Sequence, residues 1–213
     1  MGTLTLFYVM YASTVAAGVV GVVRFRRLEI GTRILAVLCI VAPMQLTLSF
    51  VMSRLGIRNY EVLNNYRPFE LLLIGAVLYG LSVHAVVRRI VAVGVTLFLA
   101  LWIVDLNTLD DPTQINNRMA MLSRIIVIVM TLPALYFGQR ATSGLFSQSP
   151  LFWVGTAALL YSSGSLFVVG FSNQLAAGSR ETFISAWHIN WSLLIMNNLF
   201  YMKGLLCKPR PRT

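Results

Sequence analysis

Seven long runs of apolar residues constrain this chain more than any other feature. A helix needs about 20 predominantly apolar residues to cross a bilayer core of about 30 Å. The predicted spans are Thr3–Val23, Gly31–Ser53, Pro68–Val87, Ile90–Asn107, Met119–Phe137, Pro150–Ser172 and Thr182–Met202. The connectors between them are too short for a soluble domain. We therefore predict a single all-α domain over residues 1–213, a polytopic bundle of seven transmembrane helices.

Composition excludes several other classes of protein. Hydrophobic residues make up 57% of the chain and charged residues only 11%, whereas a soluble domain carries roughly a quarter charged residues. Cys39 lies in an apolar run and Cys207 in the basic tail, so we expect two unpaired thiols instead of a disulfide framework. The net charge of +10 does not predict a nucleic-acid partner, because no basic segment is interleaved with stacking aromatics.

The basic residues predict the direction in which the chain crosses the membrane. Eleven of the 17 basic residues, but only one acid, Glu29, fall after the first, third and fifth spans and in the C-terminal tail. The positive-inside rule then places the N-terminus outside and the C-terminus in the cytoplasm. No cleavable signal peptide is expected, since the first basic cluster follows the first apolar run. The eleven are Arg24, Arg26, Arg27, Arg33, Arg88, Arg89, Arg140, Lys203, Lys208, Arg210 and Arg212.

Large polar side chains within the spans fall mainly in the predicted outer half. Charged groups inside a membrane are costly, so each is a candidate functional residue. Pro68 is predicted to begin the third span, which would put Glu70 close to the outer boundary. The candidate ligand-binding or polar cluster comprises Gln45, Glu70, Asp105, Arg124, His188 and Asn190.

Arg124 is the one guanidinium predicted well inside a span, and it requires a carboxylate partner. Glu70 and Asp105 are both candidates. Three interpretations stay open at this stage. The charges could form an ion-pair cluster that only fixes helix positions, the carboxylates could reach the outer surface without any cluster, or the groups could build an outward-facing ligand or ion pocket.

The last span is the least lipid-like of the seven. Its polar residues occupy two opposite faces at helical spacing, which predicts that other helices enclose it. Asparagine, serine and tyrosine side chains there and in the sixth span are expected to form hydrogen bonds between helices. These interhelical polar candidates are Ser163, Asn197, Asn198 and Tyr201.

The sequence does not predict an enzyme, a metal site or a cofactor. Lys203 lies at the predicted cytoplasmic end, unlike the mid-helix lysine that a retinal Schiff base requires. His84 and His188 are predicted at opposite membrane faces, so they cannot share a metal ion. None of the common catalytic or phosphate-binding motifs occurs in the sequence.

Short motifs in three spans resemble those of small seven-helix inner-membrane proteins of bacteria that are often encoded beside sensor histidine kinases. Such proteins are similar to the seven-helix input domains of other histidine kinases. The resemblance implies an inner-membrane location and a sensory or accessory signalling role, although the family has no established activity and this chain shows no kinase domain. The motifs are Asn64–Glu70, Ser149–Trp153, Tyr161–Gly164 and the set His188, Asn190, Asn197 and Asn198.

We therefore expect a receptor-like membrane sensor subunit. A small ligand or the lipid environment would act on the outer polar cluster, and a separate cytoplasmic partner such as a histidine kinase would receive the signal. Two alternatives remain: a carrier of protons or small solutes, and a structural or assembly subunit of the membrane.

Overall fold

A computed structural model describes residues 3–57, 59–108, 115–142 and 145–207. Within these ranges the chain is all-helical, as predicted, and forms eight helices. They are α1 (Thr3–Arg24), α2 (Ile30–Arg54), α3 (Tyr60–Leu81), α4 (Ala85–Thr108), α5 (Asn117–Arg140), α6 (Pro150–Gly170), α7 (Ser172–Ala177) and α8 (Arg180–Leu206). The basic tail residues Lys208, Arg210 and Arg212 lie outside the described residues.

Five helical segments in the described part of the chain are long and apolar enough to cross a membrane. The outer surfaces of several helices are apolar as well: Val23 on α1, Val93 on α4 and Phe167 on α6 are each at least two-thirds exposed. Such side chains suit contact with lipid, so the chain has the character of a multi-pass membrane protein. The five segments are Leu4–Arg27, Ile30–Arg54, Ala85–Asn107, Asn117–Arg140 and Pro150–Gly170.

The predicted boundaries of the third and fourth spans are wrong. Helix α3 begins at Tyr60, eight residues before Pro68, and ends at Leu81, so Pro68 lies inside the helix instead of at its start. In the polar segment before Pro68, Asn64 is buried and Tyr66 and Arg67 line an internal cavity, whereas Glu61 and Asn65 are exposed. By contrast, α6 begins as predicted: Ser149 caps it by accepting a hydrogen bond from the Leu151 amide at 3.2 Å.

Contacts between helices show which neighbours run in the same direction. Successive long helices are antiparallel. However, Phe7 on α1 contacts Trp191 on α8, with ring centroids 5.6 Å apart. A second contact joins Thr14, seven residues after Phe7, to Asn198, seven residues after Trp191. Equal steps along both helices mean that α1 and α8 are parallel. The same reasoning applies to α3 and α5, which meet near both of their N-terminal ends.

Six long helices form a closed ring of neighbours in the order α1, α2, α3, α5, α6, α8, with α4 packed outside it against α3 and α5. We name the two ends of this bundle by their charges. We call the end at which α1, α3, α5 and α8 finish the basic end, because it carries most of the described arginines. We call the end at which these four helices begin the opposite end. Near the basic end, buried apolar side chains fill the interior, including Leu35, Leu78, Val154 and Leu205.

Candidate functional site

A cavity of about 200 Å³ lies within the ring of helices, mostly in the half nearer the opposite end, and it extends past the middle of the bundle to Cys39 and Tyr201. All six ring helices contribute to its walls. It has space for roughly seven water molecules at liquid density, or for a small organic ligand. Seven of the residues singled out from the sequence line it: Gln45, Glu70, Arg124, Asn190, Asn197, Asn198 and Tyr201.

The ion pair at the cavity joins Arg124 of α5 to Glu70 of α3. The two guanidinium nitrogens Nη1 and Nη2 donate to Oε1 and Oε2 of Glu70 at 3.1 and 3.4 Å. The guanidinium carbon also lies 4.7 Å from the centre of the Tyr161 ring on α6, in cation–π geometry. The predicted carboxylate partner of Arg124 is therefore present, and it is Glu70.

Glu70 lies deeper than the sequence predicts. Since α3 begins at Tyr60, Glu70 is about 15 Å along the helix axis from its first residue. Its side chain is only 19% exposed and that of Arg124 only 7%. The pair is therefore largely removed from the surroundings of the bundle, and the interpretation in which the carboxylate reaches the outer surface is wrong for Glu70.

Arg67 is a residue of the site that the sequence analysis missed. It lies one helical turn before Glu70 on α3 and lines the same cavity. Its Nε is buried and has no hydrogen-bond partner among the described residues, and no carboxylate there forms an ion pair with it. The signal that could have found it is the three-residue spacing to Glu70, which places both side chains on one face of a helix.

Asp105 does not belong to this cluster, contrary to the sequence analysis. It is buried on α4, where its Oδ2 accepts a short hydrogen bond from the Asn116 side chain. The backbone amide of Asn116 donates to Oδ1 of Asn64 at 3.0 Å. The side-chain Oδ1 of Asn116 accepts from the Met119 amide and so caps the start of α5. These bonds hold α3, α4 and α5 together at the opposite end. Asp105 is separate from the cavity because α4 lies outside the ring.

His188 also lies beside the cavity instead of on its wall. Its ring centroid is 5.7 Å from that of Trp191, which does line the cavity. The Nε2 atom is buried and has no hydrogen-bond partner among the described residues. Gln45, which reaches the wall from α2, donates to the Ser49 hydroxyl at 3.0 Å within its own helix.

Helix α8 supplies most of the amide groups at the cavity. Asn198 donates to the hydroxyls of Ser13 and Thr14 at 3.0 and 2.9 Å, which confirms a hydrogen-bonded contact between α8 and α1. The Oδ1 atoms of Asn190 and Asn197 are buried and lack a partner among the described residues. These two carbonyl groups are therefore unsatisfied among the described residues, but they have almost no surface open to the cavity.

Ser163 does not form the predicted interhelical bond. It is exposed on α6, and its hydroxyl donates to the Leu159 carbonyl at 2.7 Å within the same helix. A serine can always satisfy its hydroxyl in this way, so its presence in a span does not establish a helix contact. The three remaining interhelical candidates, Asn197, Asn198 and Tyr201, are all buried at the cavity.

The chemistry on offer at the cavity is recognition of a polar ligand. Its walls combine two guanidinium groups, one carboxylate and several amides with the indole rings of Trp187 and Trp191. Few polar groups placed among apolar side chains are typical of small-molecule binding sites. Comparison of the chain with protein-family models, with curated proteins and with solved structures gave no match.

Proposed function

We propose that this protein is a receptor-like sensor subunit of the bacterial inner membrane, with seven spans, an outer N-terminus and a cytoplasmic C-terminus. A small solute would bind in the cavity, and a separate signalling partner such as a histidine kinase would respond at the basic end. The observation that carries the proposal is a cavity built by six helices, with a few charged and amide groups among apolar walls, that lies mostly in the half of the bundle farther from the basic connectors.

The orientation follows from the charges at the two ends. The basic end carries Arg24, Arg26 and Arg27 between α1 and α2, and Arg88 and Arg89 at the start of α4. Short basic connectors are retained on the cytoplasmic side of bacterial membranes. With the basic end in the cytoplasm, most of the cavity lies in the outer half of the membrane, which is the side from which a solute outside the cell would enter it.

A ligand in the cavity would influence the relative positions of several helices. Polar wall residues come from α2, α3, α5, α6 and α8, so one bound molecule could contact elements that are far apart in the chain. Ligands shift a conformational equilibrium only through differential contacts, and a multi-helix site provides them. The helices that line the cavity continue to the basic end, which is where a cytoplasmic partner would bind.

The interior near the basic end favours a sensor over a proton relay. A proton relay requires ionisable or hydrogen-bonding groups along a complete path through the membrane. Between the cavity and the basic end, however, the bundle is filled by buried apolar residues such as Leu35, Val154 and Leu205. This apolar plug would separate a ligand in the cavity from the cytoplasm.

The test uses Arg124→Leu in cells that lack the chromosomal copy. If the protein is a sensor, the variant accumulates in the membrane but the transcript profile matches that of the deletion strain. Arg118→Leu is the matched control, because Arg118 is exposed on the same helix, and it should restore the wild-type profile. Asn190→Ala provides a second cavity variant in case Arg124→Leu fails to fold.

Three other results would contradict the proposal. A wild-type transcript profile from well-expressed Arg124→Leu and Asn190→Ala would show that signalling does not need the cavity. Loss of both cavity variants from the membrane, with Arg118→Leu retained, would indicate a purely structural role. Solute uptake or a pH change in proteoliposomes of the purified protein would indicate a carrier.

A further inference from the structure

We propose that the ligand of this cavity is a small organic anion and that Arg67 is its principal charged contact. This inference deepens the proposed function, since it names the class of molecule that the sensor would bind. It depends on the charge balance of the cavity, on the unpaired groups in its wall and on its apolar surfaces.

The charges that line the cavity do not cancel. Among the residues that the structure describes, Glu70 is the one carboxylate in the cavity wall, whereas Arg67 and Arg124 each contribute a guanidinium. Glu70 is already engaged by both terminal nitrogens of Arg124. One positive charge is therefore left over inside the bundle, and an anion would neutralise it.

Arg67 is the group that remains available to such an anion. It lines the cavity and forms no ion pair with any described residue, whereas the terminal nitrogens of Arg124 are already bound to Glu70. A buried cation is strongly disfavoured unless it is paired and hydrogen-bonded. A guanidinium presents paired donors that match the two oxygens of a carboxylate, so it would bind a carboxylate more tightly than a neutral amide of the same shape.

The remaining walls indicate an organic molecule with an apolar part. Trp187, Trp191 and Leu194 of α8 form an apolar face of the cavity. Asn190 and Asn197 also line the cavity, so their side chains would contact a polar group of the ligand. A bare inorganic anion would leave both of these features unused, whereas a small organic carboxylate with an apolar body would contact the guanidinium and the indoles together.

Three probes of nearly equal size test whether the charge of a ligand, and not its shape, determines its affinity for the cavity. Benzoate, benzamide and benzylammonium share one ring but carry a negative, zero or positive charge at neutral pH. Binding of each radiolabelled probe to the purified full-length protein in lipid nanodiscs is measured by equilibrium dialysis. We expect benzoate to bind on the order of tenfold or more tightly than benzamide, and benzylammonium not to compete with it.

Variants of Arg67 test whether its guanidinium binds the carboxylate of benzoate. Arg67→Gln should weaken benzoate binding by about tenfold or more and leave benzamide binding nearly unchanged. Arg67→Lys should restore part of the affinity, since it retains the charge but loses the paired donors. Arg118→Gln is the control on an exposed arginine and should bind benzoate as the wild type does.

Several results would overturn the inference. These are equal binding of benzoate and benzamide, a preference for benzylammonium, no binding of any probe at millimolar concentration, or unchanged benzoate binding by folded Arg67→Gln. If Arg67→Gln does not fold, the comparison of the three probes on the wild-type protein still decides the charge preference. If the protein binds benzoate but the cavity variants give a wild-type transcript profile, the sensor role is refuted and the anion site is retained. Failure of the proposed function can therefore be distinguished from failure of this inference.

Discussion

Replacing Glu70 by glutamine is expected to destabilise the bundle more than replacing Arg124 by glutamine. The reason is the charge count at the cavity, where one carboxylate faces two guanidinium groups. Glu70→Gln leaves Arg67 and Arg124 together without an acid. Arg124→Gln leaves Glu70 with Arg67, which is three residues away on the same face of α3 and can take over the pairing.

The structure sets the size of each effect. Removal of one member of a buried ion pair costs about 3 to 5 kcal/mol. Because the Glu70 side chain is 19% exposed and borders a cavity, the lower figure applies to Glu70→Gln, about 3 kcal/mol. Arg124→Gln loses a paired hydrogen bond and a ring contact but leaves no net charge, so we expect a loss of about 1 to 2 kcal/mol.

The assay is reversible unfolding of the purified protein in mixed micelles by titration with sodium dodecyl sulfate, followed by helical circular dichroism. Ser163→Ala is the control, because this exposed hydroxyl bonds only within α6. Its free energy of unfolding should stay within about 0.5 kcal/mol of the wild type. The double variant Arg67→Gln, Glu70→Gln should recover part of the stability that Glu70→Gln loses, since only one guanidinium then remains.

Two results would refute this reasoning. If Arg124→Gln lowers the free energy of unfolding as much as Glu70→Gln does, Arg67 does not take over the pairing. If the double variant is no more stable than Glu70→Gln alone, repulsion between the two guanidinium groups is not the cause of the loss.

Two further predictions concern the helix contacts of α1. Gly18→Ala should lower the free energy of unfolding in the same titration by about 1 to 3 kcal/mol. The reason is that the added methyl group would lie 2.8 Å from the backbone oxygen of Cys39. An unchanged free energy of unfolding would contradict the close approach of α1 and α2. Asn198→Leu should cost roughly 1 kcal/mol, at about 0.6 kcal/mol for each of its two bonds to Ser13 and Thr14. Ser13→Ala should remove about half of that amount, and a larger loss from Ser13→Ala than from Asn198→Leu would contradict the assignment.

The sequence predicts the helical class well because apolar length is a local property. Each of the seven predicted spans overlaps a long helix of the structure, and five of these helices are long and apolar enough to cross a membrane. The sixth span also begins at the predicted residue, Pro150, where the Ser149 hydroxyl accepts a hydrogen bond from the first turn of α6. These features need only neighbouring residues, and no knowledge of which helices pack together.

The errors have one physical origin, which is that helix neighbours are not encoded locally. Pro68 resembles a helix start, yet α3 begins at Tyr60, and Asn64, Tyr66 and Arg67 face the interior of the bundle. A helix start at Pro68 would leave Arg67 in a connector, so the sequence does not identify it as a residue of the site. The choice between Glu70 and Asp105 as the partner of Arg124 depends on the position of α4 outside the ring, and the sequence contains no signal for that position.

The contact between α1 and α8 also has a consequence for biosynthesis. These two helices are far apart in the chain, yet they are adjacent in the ring and together close one side of the cavity. A ribosome delivers α8 to the membrane after every other helix that surrounds the site. The ring of helices around Arg67, Glu70 and Arg124 therefore cannot close before α8 has entered the membrane.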